Sequence, residues 1–184
     1  MTLTETPICN FGEKAKSFDL LSTANKKISL NDIKGENGTL IMFICNHCPY
    51  VKAVVKDIVE DAKYLETLDI KSVAIMSNDV KNYPEDSFEN MVSFSKLHNF
   101  SFPYLIDETQ KIAKEYGAVC TPDFFGYNKN FELQYRGRIR ELKNLKPVDK
   151  GNSDLRIAMQ LIATSGKGPK NQIPSMGCNI KWFK

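Results

Sequence analysis

The stretch Thr39-Leu-Ile-Met-Phe-Ile-Cys-Asn-His-Cys-Pro-Tyr50 decides how this chain folds. Its first half is a continuous apolar run entered from Gly35-Glu-Asn-Gly38. A short run bounded this way fits a strand buried on both faces. Its second half turns into a helix. Val51, Val55, Ile58, Ala62 and Leu65 recur at three- and four-residue steps, with Lys52, Lys56, Glu60 and Lys63 on other faces. Ile70 to Met76 then supplies a second buried strand. Strand, helix and strand in this order make a βαβ unit with parallel strands and a right-handed crossover. The pair in Cys45-Asn-His-Cys48 stands where the first strand hands over to the helix.

Working outward, Lys16–Ser22 and Lys26–Leu30 read as short strands around Thr23-Ala-Asn25, a hairpin. Pro84-Glu-Asp opens a second helix running through Leu97, with acidic residues in its first turn as the macrodipole favours. Pro103–Ile106 is a short strand. Asp107 is placed to cap a helix over Thr109–Tyr116, and Gly117 to end it. Asp123–Tyr127 and Phe131–Arg136 flank Asn128-Lys-Asn130 as a hairpin. Ser153 caps a last helix through Thr164, and a tail over 167–184 carries Cys178 and Trp182. The expected fold class is α/β. A single domain over 1–184 holds a central mixed β-sheet flanked by helices, with an N-terminal hairpin, an inserted helix and a C-terminal tail.

Composition agrees with this reading. A chain of 184 residues makes one ordinary domain, and 42% hydrophobic with 26% charged residues are globular values. The net charge of +3 is too small to point to nucleic acid. The longest apolar run, Leu40–Cys45, falls far short of the roughly 18 residues of a membrane span. Neither nucleic acid nor membrane is an expected partner. The start lacks the basic and apolar regions of a secretory signal, so the expected location is the cytoplasm. Five cysteines (Cys9, Cys45, Cys48, Cys120, Cys178) cannot all pair within one molecule. In a reducing compartment, that number points to chemistry or metal more than to stapling.

Two thiols three residues apart at the first turn of a helix can close a small disulfide ring. The first of them, Cys45, is expected against the unsatisfied N–H groups and positive end of the dipole. That setting lowers a thiol pKa and raises the population of attacking thiolate. His47, when protonated, would lower it further. A zinc site is the rival reading, drawing on Cys45, Cys48, Cys120, Cys178, His47 and His98. No second CxxC and no His-x₃₋₅-His stands in the chain, so two of its four ligands would have to arrive singly. Haem attachment needs His after the second cysteine, where Pro49 stands. The expectation is redox chemistry without metal or cofactor.

A CxxC at a strand–helix junction followed later by Cys120-Thr-Pro122 before a hairpin resembles the thioredoxin superfamily. The finer likeness is to its peroxiredoxin-like redoxin branch, the alkyl hydroperoxide reductase/thiol-specific antioxidant proteins. Within that branch the chain resembles a bacterial subgroup. The likeness rests on Phe43-Ile-Cys-Asn-His-Cys-Pro-Tyr50, Tyr116-Gly-Ala-Val-Cys-Thr-Pro-Asp-Phe-Phe125 and Pro174-Ser-Met-Gly-Cys-Asn-Ile-Lys-Trp182. It runs from about Phe11 to Lys184. The resemblance implies a thioredoxin-like fold, Cys45 as attacking thiol and Cys48 as resolving thiol. It also implies a cis Thr121–Pro122 bond facing the cysteines, with Thr121 backbone groups binding a substrate segment as an added strand. His47 holds the place of the histidine in strongly oxidising members, which implies a reduction potential above thioredoxin's.

Departures from the branch shape the choice of reaction. True peroxiredoxins carry Thr or Ser three residues before the peroxidatic cysteine; here Met42 stands three before Cys45. Arg136, Arg138 and Arg140 are candidates for the arginine expected near the thiolate. The expected activity is thiol–disulfide oxidoreduction at Cys45/Cys48, acting on protein or small-molecule disulfides and dithiols. A reducing partner such as the thioredoxin or glutathione system completes the cycle. The alternative enzyme is a thiol peroxidase with Cys45 peroxidatic and Cys48 or Cys178 resolving. A zinc-stabilised binding protein without catalysis is the third reading. Cys178 and Cys120 are accessory thiols, Cys178 as a further exchange thiol if the tail covers the site.

Overall fold

Residues 2–184 are described by a computed structural model. In chain order come β1 (Leu3–Glu5), β2 (Asp19–Ser22), β3 (Lys27–Ser29), β4 (Gly38–Phe43), α1 (Pro49–Glu66) and β5 (Ile70–Met76). Next are α2 (Phe88–Leu97), β6 (Tyr104–Ile106), α3 (Lys111–Tyr116), β7 (Cys120–Thr121), β8 (Asp123–Tyr127) and β9 (Leu133–Tyr135). The chain closes with β10 (Leu142–Lys143), β11 (Lys146–Pro147), α4 (Asp154–Ser165) and β12 (Met176–Asn179).

A mixed sheet in the order β3-β2-β6-β5-β4-β8-β9 is the centre. Strands β4, β5 and β6 run parallel, and β2, β8 and β9 join antiparallel. Every residue of β4 is buried because both faces of the sheet are covered. Leu40, Met42 and Ile44 face the core shared with α1 and α4. Ile41 and Phe43 face the other side, where the Phe43 ring meets Tyr116 and Phe125 at 5.7 Å. Helix α1 buries Val51, Val54, Val55, Ile58, Ala62 and Leu65, the stripe its sequence spacing predicts. This is the expected thioredoxin-like arrangement of a mixed sheet flanked by helices. Among the described residues no helix is long and apolar enough to cross a membrane.

Two local expectations, the start of α2 and the start of α3, need correction. The helix expected from Pro84 is broken: Pro84–Asp86 forms a 3₁₀ turn, and α2 starts afresh at Phe88. Ser87 adopts an extended conformation and its hydroxyl accepts from Asn90 N–H, which makes it the cap of α2. Helix α3 starts after Gln110, which adopts a left-handed conformation, and Asp107 instead accepts from the Ala113 N–H at 2.9 Å. The tail after α4 is woven into structure: β12 lies antiparallel between β1 and β7 in a small three-stranded sheet.

Candidate active site

Pro49 opens α1, so Cys48 is its N-cap, and Cys45 lies in the connection from β4. The first cysteine was expected at the helix N-terminus; the structure puts the second one there. Cys48 therefore meets the Val51 N–H of the first turn, and the Cys178 N–H also points at its sulfur. The largest influence is the Cys45 thiol, which donates to Cys48 and holds its pKa below the ordinary thiol range. Cys45 is pushed up by that same hydrogen bond, then by burial and by the Asp86 charge. When protonated, Cys48 donates to the Thr121 carbonyl oxygen at 3.2 Å. That single acceptor is outnumbered by the donors aimed at the same sulfur. The hydrogen bond between the two thiols thus lowers the Cys48 pKa and raises that of Cys45.

Thr121 comes to the pair from β7. The Thr121–Pro122 peptide bond is cis, and the Thr121 hydroxyl lies 3.4 Å from Cys45 Sγ. The backbone edge of Thr121 was expected to be open to a substrate strand. It is occupied by β12, with Cys178 opposite Thr121 and Asn179 opposite Cys120. Ser175 Oγ donates to the Pro122 carbonyl at 2.8 Å, and Lys181 N donates to Asn78 Oδ1 at 2.9 Å, so the tail is tied down on both sides of Cys178. Cys45 is 1% exposed and Cys48 0%, so both sulfurs are covered. Beside them, a cavity of about 170 Å³ opens between Tyr50, Val54, Pro122, Ile139 and Met176.

His47 is held by Asp86. Its Nδ1 stands 2.7 Å from Asp86 Oδ2, and its ring stacks on Tyr83 at 5.8 Å. That bond, ahead of opposing desolvation, raises the His47 pKa above its ordinary 6.5. Asp86 had been read only as an acidic residue of a helix start. It is fully buried because its carboxylate turns inward, where it also accepts from Asn46 N, His47 N and Asn78 Nδ2. Cys45, His47 and Asp86 offer ligand atoms within 4.8 Å of one another, the one such group among the described residues. Four N–H donors already fill the roughly four lone-pair sites of the Asp86 carboxylate, which leaves it little to give a metal. His98, a further zinc candidate, packs its ring on Phe94 at 4.5 Å and is not in this group.

The remaining expected residues are placed plainly. Cys120 is buried and its thiol is pushed far up by burial and by Asp123, so it lines the site as an inert thiol. Cys178 reaches Cys48 and is raised to about 11, by burial first and by its hydrogen bond to Cys48 second. The three arginine candidates are engaged by carboxylates. Arg136 pairs with Asp123, Arg138 with Asp154 and Arg140 with Asp57. The Lys181–Asn78–Asp86–His47 chain of hydrogen bonds, which links the tail to the histidine, had no signal in local sequence.

The AhpC/TSA family model matches residues 11–142. The chain belongs to the AhpC/TSA family. A crystal structure of an uncharacterised conserved protein from Geobacillus kaustophilus is similar at 38% identity and a TM-score of 0.94, covering 100% of this chain and 97% of that one. A hypothetical protein from Sinorhizobium meliloti is similar at 33% identity and 0.90, covering 98% of each. The thioredoxin domain of a thiol-disulfide oxidoreductase from Bacteroides vulgatus shares the fold at 13% identity and 0.58, covering 73% of this chain and 89% of that one. No curated protein sequence matches the chain. As an AhpC/TSA protein of thioredoxin-like fold, this is a redoxin.

The His47–Asp86 pair gives a direct test of the site's electrostatics. The His47 imidazole should titrate above 6.5 by NMR, and Asp86→Asn should lower its midpoint. Because the folded-state pKa is raised, the pair's contribution to stability is complete below about pH 6.5 and is lost as pH rises through the folded value. An unchanged midpoint in Asp86→Asn would remove Asp86 as the cause.

Proposed function

We propose that this redoxin is a thiol–disulfide oxidoreductase using Cys45 and Cys48. The observation that carries the reading is geometric: Cys48 caps α1, Cys45 stands three residues before it, and both sulfurs face Thr121 of the cis Thr121–Pro122 bond, at 3.4 Å from its hydroxyl and 3.2 Å from its carbonyl oxygen. In the reaction, Cys45 passes its proton to Cys48 and its thiolate attacks one sulfur of a substrate disulfide. The substrate S–S bond breaks and one substrate thiolate leaves. Cys48 then attacks the Cys45 sulfur of the mixed disulfide, its proton going to the second departing thiolate. The products are a Cys45–Cys48 disulfide and a reduced substrate; the reverse sequence oxidises dithiols. Donors on Cys48 stabilise the reduced, ionised pair and so favour a reduction potential above thioredoxin's. Substrates of this reading are protein or small-molecule disulfides, and thioredoxin or glutathione supplies reducing equivalents. We place the reaction in the cytoplasm, where buried free thiols stay reduced.

One observation favours a second reading, a thiol peroxidase. The Thr121 hydroxyl at 3.4 Å from Cys45 Sγ lies where a peroxide could be activated, although Met42 stands where a hydroxyl is expected three residues before Cys45. Against it, the arginines are committed to carboxylates elsewhere. Reduced protein exposed separately to oxidised glutathione and hydrogen peroxide, alkylated and mapped over time, separates the two. Cys45–Cys48 bridging that is fast with the disulfide and slow with peroxide is the expected result. Fast conversion of Cys45 to a sulfenate would replace the oxidoreductase reading by the peroxidase one.

A further inference from the structure

The tail strand β12 lies on the Thr121 edge as an incoming polypeptide would, by adding a strand. Its register brings Cys178 opposite Thr121, and from there Cys178 engages the Cys48 sulfur twice, through its N–H and through its thiol. The fit depends on Gly177. A Cβ there would stand 2.0 Å from the Thr121 carbonyl oxygen and 3.2 Å from Pro122 Cδ. Only a residue without a side chain lets the strand come this close. The Ser175 and Lys181 hydrogen bonds then hold the cysteine between them in place.

We propose that Cys178 is a third redox thiol of this site, a built-in substrate cysteine that takes Cys48 into a Cys48–Cys178 disulfide. This step rests on the oxidoreductase reading, which supplies the Cys45–Cys48 disulfide. The Cys178 thiolate attacks the Cys48 sulfur; the Cys48–Cys178 bond forms and the Cys45–Cys48 bond breaks. The electron pair leaves on Cys45, which takes the proton given up by Cys178. No outside oxidant is consumed, since one disulfide replaces another. Charge favours the order of events. In the reduced protein the hydrogen bond to Cys48 raises the Cys178 pKa; once Cys48 is in a disulfide that influence weakens and Cys178 ionises more readily. The exchange regenerates a Cys45 thiol while the protein remains oxidised, and it staples the tail across the site. A polypeptide substrate that takes the place of the tail strand needs a small residue before its cysteine, the pattern of Gly177-Cys178.

The test uses full-length reduced protein given one equivalent of oxidised glutathione, quenched by alkylation and mapped without reduction. At least about one oxidised chain in ten should carry the Cys48–Cys178 bridge with Cys45 alkylated, the share left even by a tenfold bias against it. Cys178→Ser should stop at Cys45–Cys48. Gly177→Val keeps all five cysteines but blocks the strand's approach, and should lose the Cys48–Cys178 bridge while the Cys45–Cys48 bridge still forms. Wild-type protein showing Cys45–Cys48 alone, with Cys178 alkylated throughout, would overturn this proposal and leave the oxidoreductase reading intact. Absence of a Cys45–Cys48 bridge in both wild type and Cys178→Ser would overturn the oxidoreductase reading itself.

Discussion

Cys45→Ala and Cys48→Ala should each lower dithiol–disulfide turnover by on the order of 10³-fold or more, the scale of removing a group that forms the covalent intermediate. The two variants differ in what remains. Cys45→Ala keeps the Cys48 sulfur but removes the thiol that does most to support its charge, while Val51 and Cys178 N–H groups stay. The Cys48 pKa should therefore rise, and the pH midpoint of its alkylation should move up. Cys48→Ala removes the neighbour that chiefly holds the Cys45 proton in place, together with the charge of Cys48 itself. The Cys45 midpoint should therefore fall toward the ordinary thiol range, though burial and the Asp86 charge still oppose it. Opposite movements of the two midpoints would establish one shared proton; midpoints that stay still would show independent thiols. Wild-type turnover in either variant would refute the assignment of this pair.

The βαβ unit was legible because its information is local. β4 is a continuous apolar run and α1 a clean three-and-four stripe, and both turned out buried where those patterns predict. Which cysteine caps α1 was also written in the chain, in Pro49. Proline favours the first helical position, so the residue before it is the cap; attention to the cysteine spacing alone put Cys45 there. The tail was not legible. Met176–Asn179 is four residues with no apolar alternation, and its partners Leu3–Glu5 and Cys120–Thr121 are far away in sequence. Gly177 reads locally as a turn residue, and only the approach of the Thr121 carbonyl shows why it lacks a side chain. Asp86 was hidden for a related reason. An acidic residue after a proline fits a helix start, and only the turn ended by Ser87 aims its carboxylate at His47.

Arg136→Ala should destabilise the fold by about 3–5 kcal/mol, the range for leaving one partner of a buried ion pair alone. Asp123 directly follows the cis proline and is 0% exposed. Arg136 grips its carboxylate at 2.9 and 3.3 Å, donates to the Gly117 carbonyl at 2.7 Å, and lays its guanidinium 4.4 Å from the Phe125 ring centre. Burial raises the Asp123 pKa from 3.8 to about 6 even with this partner opposing it. A raised folded-state pKa fixes the sign: the contribution of Asp123 protonation to stability is complete below pH 3.8 and is lost as pH rises through about 6. Without Arg136 the folded value rises further, so the loss should be largest above neutrality and should shrink as pH falls toward 5. Urea denaturation at both ends of that window checks it. Replacing both partners, as Arg136→Met with Asp123→Leu, should recover most of the loss, because no charge is then left buried. The double variant separates stability from function: with the charges gone but the space filled, Thr121 and the sulfurs keep their support. A loss below about 1 kcal/mol in Arg136→Ala would mean that water reaches Asp123 once the arginine is gone.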